Sequence, residues 1–179
     1  MNKKIITYQE SQQMVHTNYK DFVTTIFKTG CFDFVHPGHI GTFELAKTIG
    51  DILIVGVGSD AFITQYKGKP PIFDQQTRAE WVAAIECVNF VVILDEGPEY
   101  WQGTIDHVKF LTDVRPNYYF LPHDDKSLQK KIILAHAIDI TVKIQNESDD
   151  FYVSRGGQKT KISSSTLKQL LCNQQQPQT

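Results

Sequence analysis

Between Phe22 and Ile144 the chain alternates two patterns that cannot belong to one element. Short β-branched and aromatic runs, FVTTIF (22–27), ILIVGV (52–57), FVVIL (90–94), YYFL (118–121) and ITVKI (140–144), have the composition of strands. The segments between them space apolar residues as helices do: Ile40, Phe43 and Ala46 within 38–49, then Trp81, Ala84, Ile85 and Val88, with Trp81 facing the core. Ile105, Val108 and Leu111 predict a helix after Tyr100, and Ile132, Ile133 and Ala137 another. The run 52–57 is apolar without a break, as a strand buried on both faces requires. Sustained strand–helix alternation forces a parallel sheet with right-handed crossovers. The expected fold is therefore α/β, a Rossmann-like doubly wound parallel sheet in a single domain. Ligands of such sheets bind beyond the carboxyl ends of the strands, where the strand order reverses.

The remaining segments are less patterned. Residues 7–21 are polar, with sparse apolar positions at Met14, Val15 and Tyr19, and predict a short helix packed outside the sheet. Residues 58–73 read as a loop or short helix carrying Lys67, Lys69 and two prolines, with Asp74 placed to N-cap the helix that follows. ISSSTLKQLL (162–171) reads as a capped helix, and the Gln-rich stretch 173–179 as a disordered tail. A length of 179 residues suits one core. The net charge of −2 leaves no broad basic surface, so no nucleic-acid partner is expected. Cys31, Cys87 and Cys172 are too few and too scattered for a disulfide framework and read as reduced thiols of a cytoplasmic protein. No apolar run has the length of a signal peptide core or a membrane span.

The chemistry gathers in TGCFDFVHPGH (29–39), where the first strand hands over to a helix. Gly30 removes a side chain where a ligand can approach the backbone. Pro37 and Gly38 turn the chain into the helix. His36 and His39 then stand at a helix N-terminus, whose free N–H groups and positive dipole end suit phosphate oxygens and developing negative charge. Two histidines could also ligate zinc, but no cysteine or carboxylate cluster nearby completes a site, so no protein-built metal centre is expected. The plainest alternative is a pair of turn histidines at a helix start.

GCFDFVHPGH resembles the signature of the HxGH nucleotidyltransferases of the cytidylyltransferase-like superfamily. The likeness continues through IGTFELAKTIGDILIVGVGSD and KGKPPIFDQQTRAEWVAAIECVNFVVILDE. In order and spacing it looks most like the adenylyltransferase domain of bacterial ADP-heptose synthase, and more distantly like glycerol-phosphate cytidylyltransferase. It is strong over about 7–96 and returns at ISSST. The resemblance implies one nucleotidyltransferase domain over 1–172, which moves a nucleoside monophosphate from a triphosphate to a sugar phosphate or polyol phosphate and releases pyrophosphate.

The resemblance also implies roles. His36 and His39 would contact the triphosphate, and Lys67 (or Lys69 in the same loop) and Arg78 would assist at the phosphates. Thr29, Gly30, Cys31, Phe32 and Gly38 would line the phosphate site, and Ser163, Ser164, Ser165 and Thr166 would grip the outer phosphates. Asp33 and Asp60 would lie toward the acceptor. LPHDDKS (121–127) stands where the heptose enzymes carry a KGGDY-like stretch, with Asp124 or Asp125 in the acidic position. The arginine that precedes ISTT in glycerol-phosphate cytidylyltransferases is replaced in GQKTKISSS. ATP is the preferred donor and CTP the next, Mg²⁺ would accompany the triphosphate, and a homodimer is possible by analogy. A module that binds nucleotide without turnover is the alternative.

Overall fold

The computed structural model describes residues 2–18, 23–149, 152–155 and 158–161. Its centre is a five-stranded parallel sheet made of β1 (Thr25–Gly30), β2 (Ile52–Gly58), β3 (Phe90–Leu94), β4 (Tyr118–Pro122) and β5 (Thr141–Gln145). The order across the sheet is β3-β2-β1-β4-β5. The chain steps outward from β1 to β3, returns to pair β4 with the other side of β1, and continues to β5. The reversal falls between β1 and β4, so a ligand site is expected above those two strands.

Alternate residues of each strand feed two apolar layers. Phe27, Ile54, Val92, Leu94, Tyr119 and Leu121 face a layer closed by Phe110, Leu111 and Val114 of α5 (Val108–Val114) and by Ala135 of α6 (Leu128–Ala137). Ile26, Leu53, Val55, Val57, Val91 and Phe120 face the other, closed by Phe43 and Ala46 of α2 (Pro37–Lys47) and by Ala79, Val82 and Ala83 of α4 (Gln75–Ala83). A sheet covered on both faces explains the unbroken apolar run at 52–57. The first layer is tightest where the Phe27 and Phe110 rings stack, with centroids 4.4 Å apart.

Outside the sheet, α1 (Tyr8–Gln13) opens on a capping box in which Thr7 and Glu10 satisfy each other's backbone. It passes into a π-helical turn, Met14–Asn18, that buries Met14 and Val15. The edge of β3 is partly paired: Ile6 N–H donates to Val91 O, and Val91 N–H to Lys4 O. Residues 58–73, read from sequence as a loop or short helix, contain α3 (Asp60–Lys67), N-capped by Ser59 and ended by Gly68 in the left-handed conformation, φ 70°. An antiparallel pair, β6 (Tyr152–Arg155) and β7 (Gln158–Lys161), follows β5 and was not anticipated.

The five strands lie where the runs predicted them, within three residues. Helix faces were less well read. Ile40 is 37% exposed although Phe43 and Ala46 are buried, and Trp81 is 37% exposed rather than in the core. The reason at α4 is that Arg78, Ala79, Val82 and Ala83 take the inward face, which turns Trp81 onto Phe73, 4.5 Å between centroids. On α6, Ile133 is 68% exposed and Ala137 is also exposed; the inward position is Ala135.

Gly56→Ala tests the packing of the central strand. A Cβ there would fall 2.8 Å from the Phe27 ring and 2.9 Å from a Leu94 methyl. Both neighbours are fixed on strands, so the variant is expected to lose about 1–3 kcal/mol, read as a lower urea midpoint at unchanged m-value.

Candidate active site

β1 ends at Thr29 and Gly30, and the chain turns through Phe32, whose φ of 52° is left-handed. That backbone costs a non-glycine residue about 1–2 kcal/mol. It is held because the Phe32 ring lies over Gly30, where an added Cβ would meet it at 2.8 Å. The ring also packs on Phe43 at 5.4 Å and edge-on to His39 at 5.2 Å. Asp33 is buried, and its Oδ1 accepts from the backbone N–H groups of Ile72 (2.8 Å) and Phe73 (3.2 Å). It therefore ties the lysine-bearing loop to the end of β1.

His36 is the N-cap of α2, with Pro37 at the first helical position. The His36 and His39 rings stack, centroids 3.8 Å apart at 24°. Each buries an Nδ1 that has no partner among the described residues. Burial pushes both imidazoles below their ordinary range. His39 goes down to about 3, chiefly by burial and then through the charges of His36 and Lys28, with the Phe34 backbone opposing. Near neutral pH both rings are uncharged, and each carries one N–H.

Arg78 is fully buried. Its Nε donates to Phe73 O (2.9 Å), Nη1 to Cys31 O (2.5 Å), and Nη2 to Gly58 O (2.8 Å) and Asp60 Oδ1 (2.6 Å). Asp60 Oδ2 accepts from Gln75 N–H at 3.1 Å. Arg78 and Asp60, expected from sequence to face ligand, are thus engaged in joining the ends of β1 and β2 to α3 and α4. The guanidinium satisfies carbonyls that would otherwise be stranded at the strand ends.

A cavity of about 250 Å³ opens above the carboxyl ends of β1, β2 and β4. Of the residues named from sequence, Thr29, Gly30, Cys31 and Lys67 line it. Asp125 lines it too, while Asp124 is exposed and does not. His36, His39, Phe32 and Gly38 do not line it; they stand on the turn after β1 and the first turn of α2, and Lys69 is exposed on the loop. Ser163 to Thr166 and the tail 173–179 lie outside the described residues.

Several residues of the site were not singled out individually in the sequence, although Lys126 and Ser127 fall within the stretch 121–127 noted above. Lys126, Ser127 and Lys131 line the cavity from the β4–α6 connection and α6. Lys131 pairs with Asp125 at 2.7 Å, and the Ser127 and Thr104 hydroxyls bond at 2.6 Å. Lys28 is buried in β1, and burial pushes its ammonium down to about 8. A lysine inside an otherwise apolar strand was the one available hint. His107 is buried and lines the cavity together with Asp106.

Comparison with known proteins identifies the family. The chain belongs to the cytidylyltransferase-like family, whose model matches residues 27–170. It is 44% identical over 72 residues to the bifunctional protein HldE of Geobacter metallireducens, covering 40% of this chain and 15% of that protein. To HldE of Helicobacter pylori G27 it is 38% identical over 97 residues, 54% of this chain and 19% of that one. The chain thus spans less than a fifth of the length of these curated relatives. Among solved structures, a lipopolysaccharide core biosynthesis protein from Thermoplasma volcanium superposes with a TM-score of 0.53 at 32% identity, over 68% of this chain and 93% of that chain. The pantoate-beta-alanine ligase of Francisella tularensis shares the fold, with a TM-score of 0.58 at 14% identity, over 92% and 75% of the two chains. No helix among the described residues is long and apolar enough to cross a membrane.

Two measurements probe this arrangement. Arg78→Met should cost about 3–5 kcal/mol, since it strands three carbonyls and the Asp60 carboxylate; an unchanged urea midpoint would refute the joining role. The second concerns pH. Folded His39 takes a proton only at about 3, whereas the unfolded chain takes it at the ordinary value of 6.5. Between those values the unfolded state holds more protons, so stability falls as pH drops through the window. His39→Gln should make that fall shallower in urea titrations at about pH 4.5 and 7.

Proposed function

We propose that the chain transfers a nucleoside monophosphate from a nucleoside triphosphate to the phosphate of a sugar phosphate or polyol phosphate. ATP is the preferred donor, by likeness to the HldE relatives, and CTP the next. The observation that carries the reading is the stacked His36–His39 pair, neutral by burial and with buried Nδ1 atoms unpartnered among the described residues, on the turn that follows the cavity-lining end of β1.

The chemistry follows from these groups. An oxygen of the acceptor phosphate attacks the α-phosphorus. The α–β bridging bond breaks, and its electron pair leaves on pyrophosphate. No side chain becomes covalently attached. The protein's work is positioning and charge stabilisation. The histidine N–H groups and the Gly38 amide, the first N–H of α2 because Pro37 has none, donate to the α-phosphate oxygens as charge builds on them. Thr29, Gly30 and Cys31 let the triphosphate approach the end of β1. Lys67 and Lys131 neutralise phosphate charge, and Lys28 adds a buried positive charge beside His39. Ser163, Ser164, Ser165 and Thr166 supply hydroxyls for the outer phosphates.

Arg78, Asp60 and Asp33 act through the turn they hold rather than by touching ligand. Mg²⁺ would enter with the triphosphate. When bound it offsets phosphate charge.

The test is pyrophosphate release from Mg²⁺ complexes of ATP, CTP, GTP and UTP across a panel of sugar and polyol phosphates. One triphosphate should be used, and His39→Ala should lower turnover by about 100-fold or more with an unchanged circular dichroism spectrum. Full activity in His39→Ala would sink the mechanism. Nucleotide binding without release from any pair would indicate a module that binds without turnover.

A further inference from the structure

Asp106 sits between β3 and α5, one residue before His107, the N-cap of α5. It is 6% exposed and lines the cavity. Its Oδ1 meets His107 Nδ1 at 2.7 Å, and His107 Nε2 meets the Tyr119 hydroxyl of β4 at 2.5 Å. Burial holds the His107 ring neutral and the Tyr119 phenol protonated. Only one arrangement of protons then serves both contacts: Tyr119 O–H donates to Nε2, and Nδ1–H donates to Asp106. The Phe27 ring braces this chain, 5.8 Å from His107 and 5.7 Å from Tyr119.

The other oxygen, Oδ2, is not used by the protein among the described residues. It comes so close to the end of β2 that a Cβ on Gly58 would lie 3.0 Å away. A carboxylate only accepts hydrogen bonds. In a cavity that held phosphate alone it would repel the ligand. Yet Lys67, Lys126 and Lys131 line the same space, and so does the Thr104–Ser127 hydroxyl pair. Glu96, whose two oxygens are buried without partners among the described residues, is near enough to feel the charge of Asp106. A ligand that satisfies both kinds of group carries a phosphate and, a few bonds away, O–H donors.

We propose that Asp106 is the residue that recognises the acceptor: its Oδ2 accepts a hydrogen bond from a hydroxyl of a polyol or sugar phosphate whose phosphate lies toward the lysines. This rests on the nucleotidyltransferase reading above. His107 and Tyr119 are positioning residues, which aim the carboxylate and hold Oδ1 so that Oδ2 stays free for the ligand.

Calorimetric titration tests this with glycerol 3-phosphate, ribose 5-phosphate and mannose 1-phosphate as probes, and with propyl phosphate as the matched ligand that lacks hydroxyls. The parent protein should bind at least one hydroxylated phosphate about ten-fold or more tighter than propyl phosphate. Asp106→Asn keeps a carbonyl for His107 and turns an N–H₂ toward the ligand. It should bring that probe down to the propyl phosphate level, with propyl phosphate and Mg²⁺-nucleotide binding unchanged. Tyr119→Phe, which deletes only the distant hydroxyl, should weaken the same probe by a smaller factor and guards against a misfolded Asp106 variant.

A parent that fails to prefer any hydroxylated probe overturns the proposal. So does an Asn variant that keeps the preference, or one that loses every ligand alike. Pyrophosphate release decides the reaction separately. Release with an unaltered Asp106→Asn variant sinks only the role of Asp106, while hydroxyl-dependent binding without release from any triphosphate sinks only the reaction.

Discussion

The buried Arg78 guanidinium is the interaction on which the site depends. Removing a cation from water costs several kcal/mol unless good partners replace the solvent. Here three carbonyls and one carboxylate do so, and they belong to three stretches of chain. Cys31 closes the turn after β1, Gly58 ends β2, Asp60 begins α3, and Phe73 ends the loop before α4. A planar fork of five donors can bind all four in one geometry, which the point charge of a lysine could not. The loop that follows Lys67 of α3 and bears Lys69 is fastened at its far end to the turn that carries His36, both through Arg78 and through Asp33.

Around that joint the site combines two opposite electrostatic solutions. The histidine pair is kept neutral by burial, so its N–H groups donate without bringing full charge into a dry place. Full positive charge at the cavity comes from the exposed Lys67 and Lys126, which solvent screens, and from Lys131, which Asp125 offsets. Asp106 stands apart from these lysines on the β3–α5 segment. Division of one cavity into a phosphate side and a hydroxyl side lets a single pocket orient a small, flexible substrate.

The sheet was legible in the sequence because buried parallel strands leave continuous apolar runs, and those runs cannot be anything else at that spacing. The turn at 29–39 was legible because its glycines, proline and histidines are adjacent in the chain. The helix faces were harder. α4 turns inward on Arg78, a residue that any hydrophobic pattern assigns to solvent, and that one substitution of faces moved Trp81 to the surface. The Asp106–His107–Tyr119 chain was not legible, because Tyr119 lies on a different strand and nothing local marks the other two. Lys28 and Lys131 likewise gain meaning only from the three-dimensional neighbourhood. The role of Arg78 was half visible: an arginine in a first helical turn needs a partner, but the partners are backbone carbonyls that no side-chain pattern reveals.

Phe32 has one more consequence. Its ring occupies the space that a side chain on Gly30 would take, and its left-handed backbone is sustained by that same packing. The two positions form a single steric unit. A methyl at Gly30 evicts the ring, which frees the strained peptide to relax and withdraws the edge-on support from His39. A side chain added at Gly30 is therefore felt at Phe32 and, through its ring, at His39.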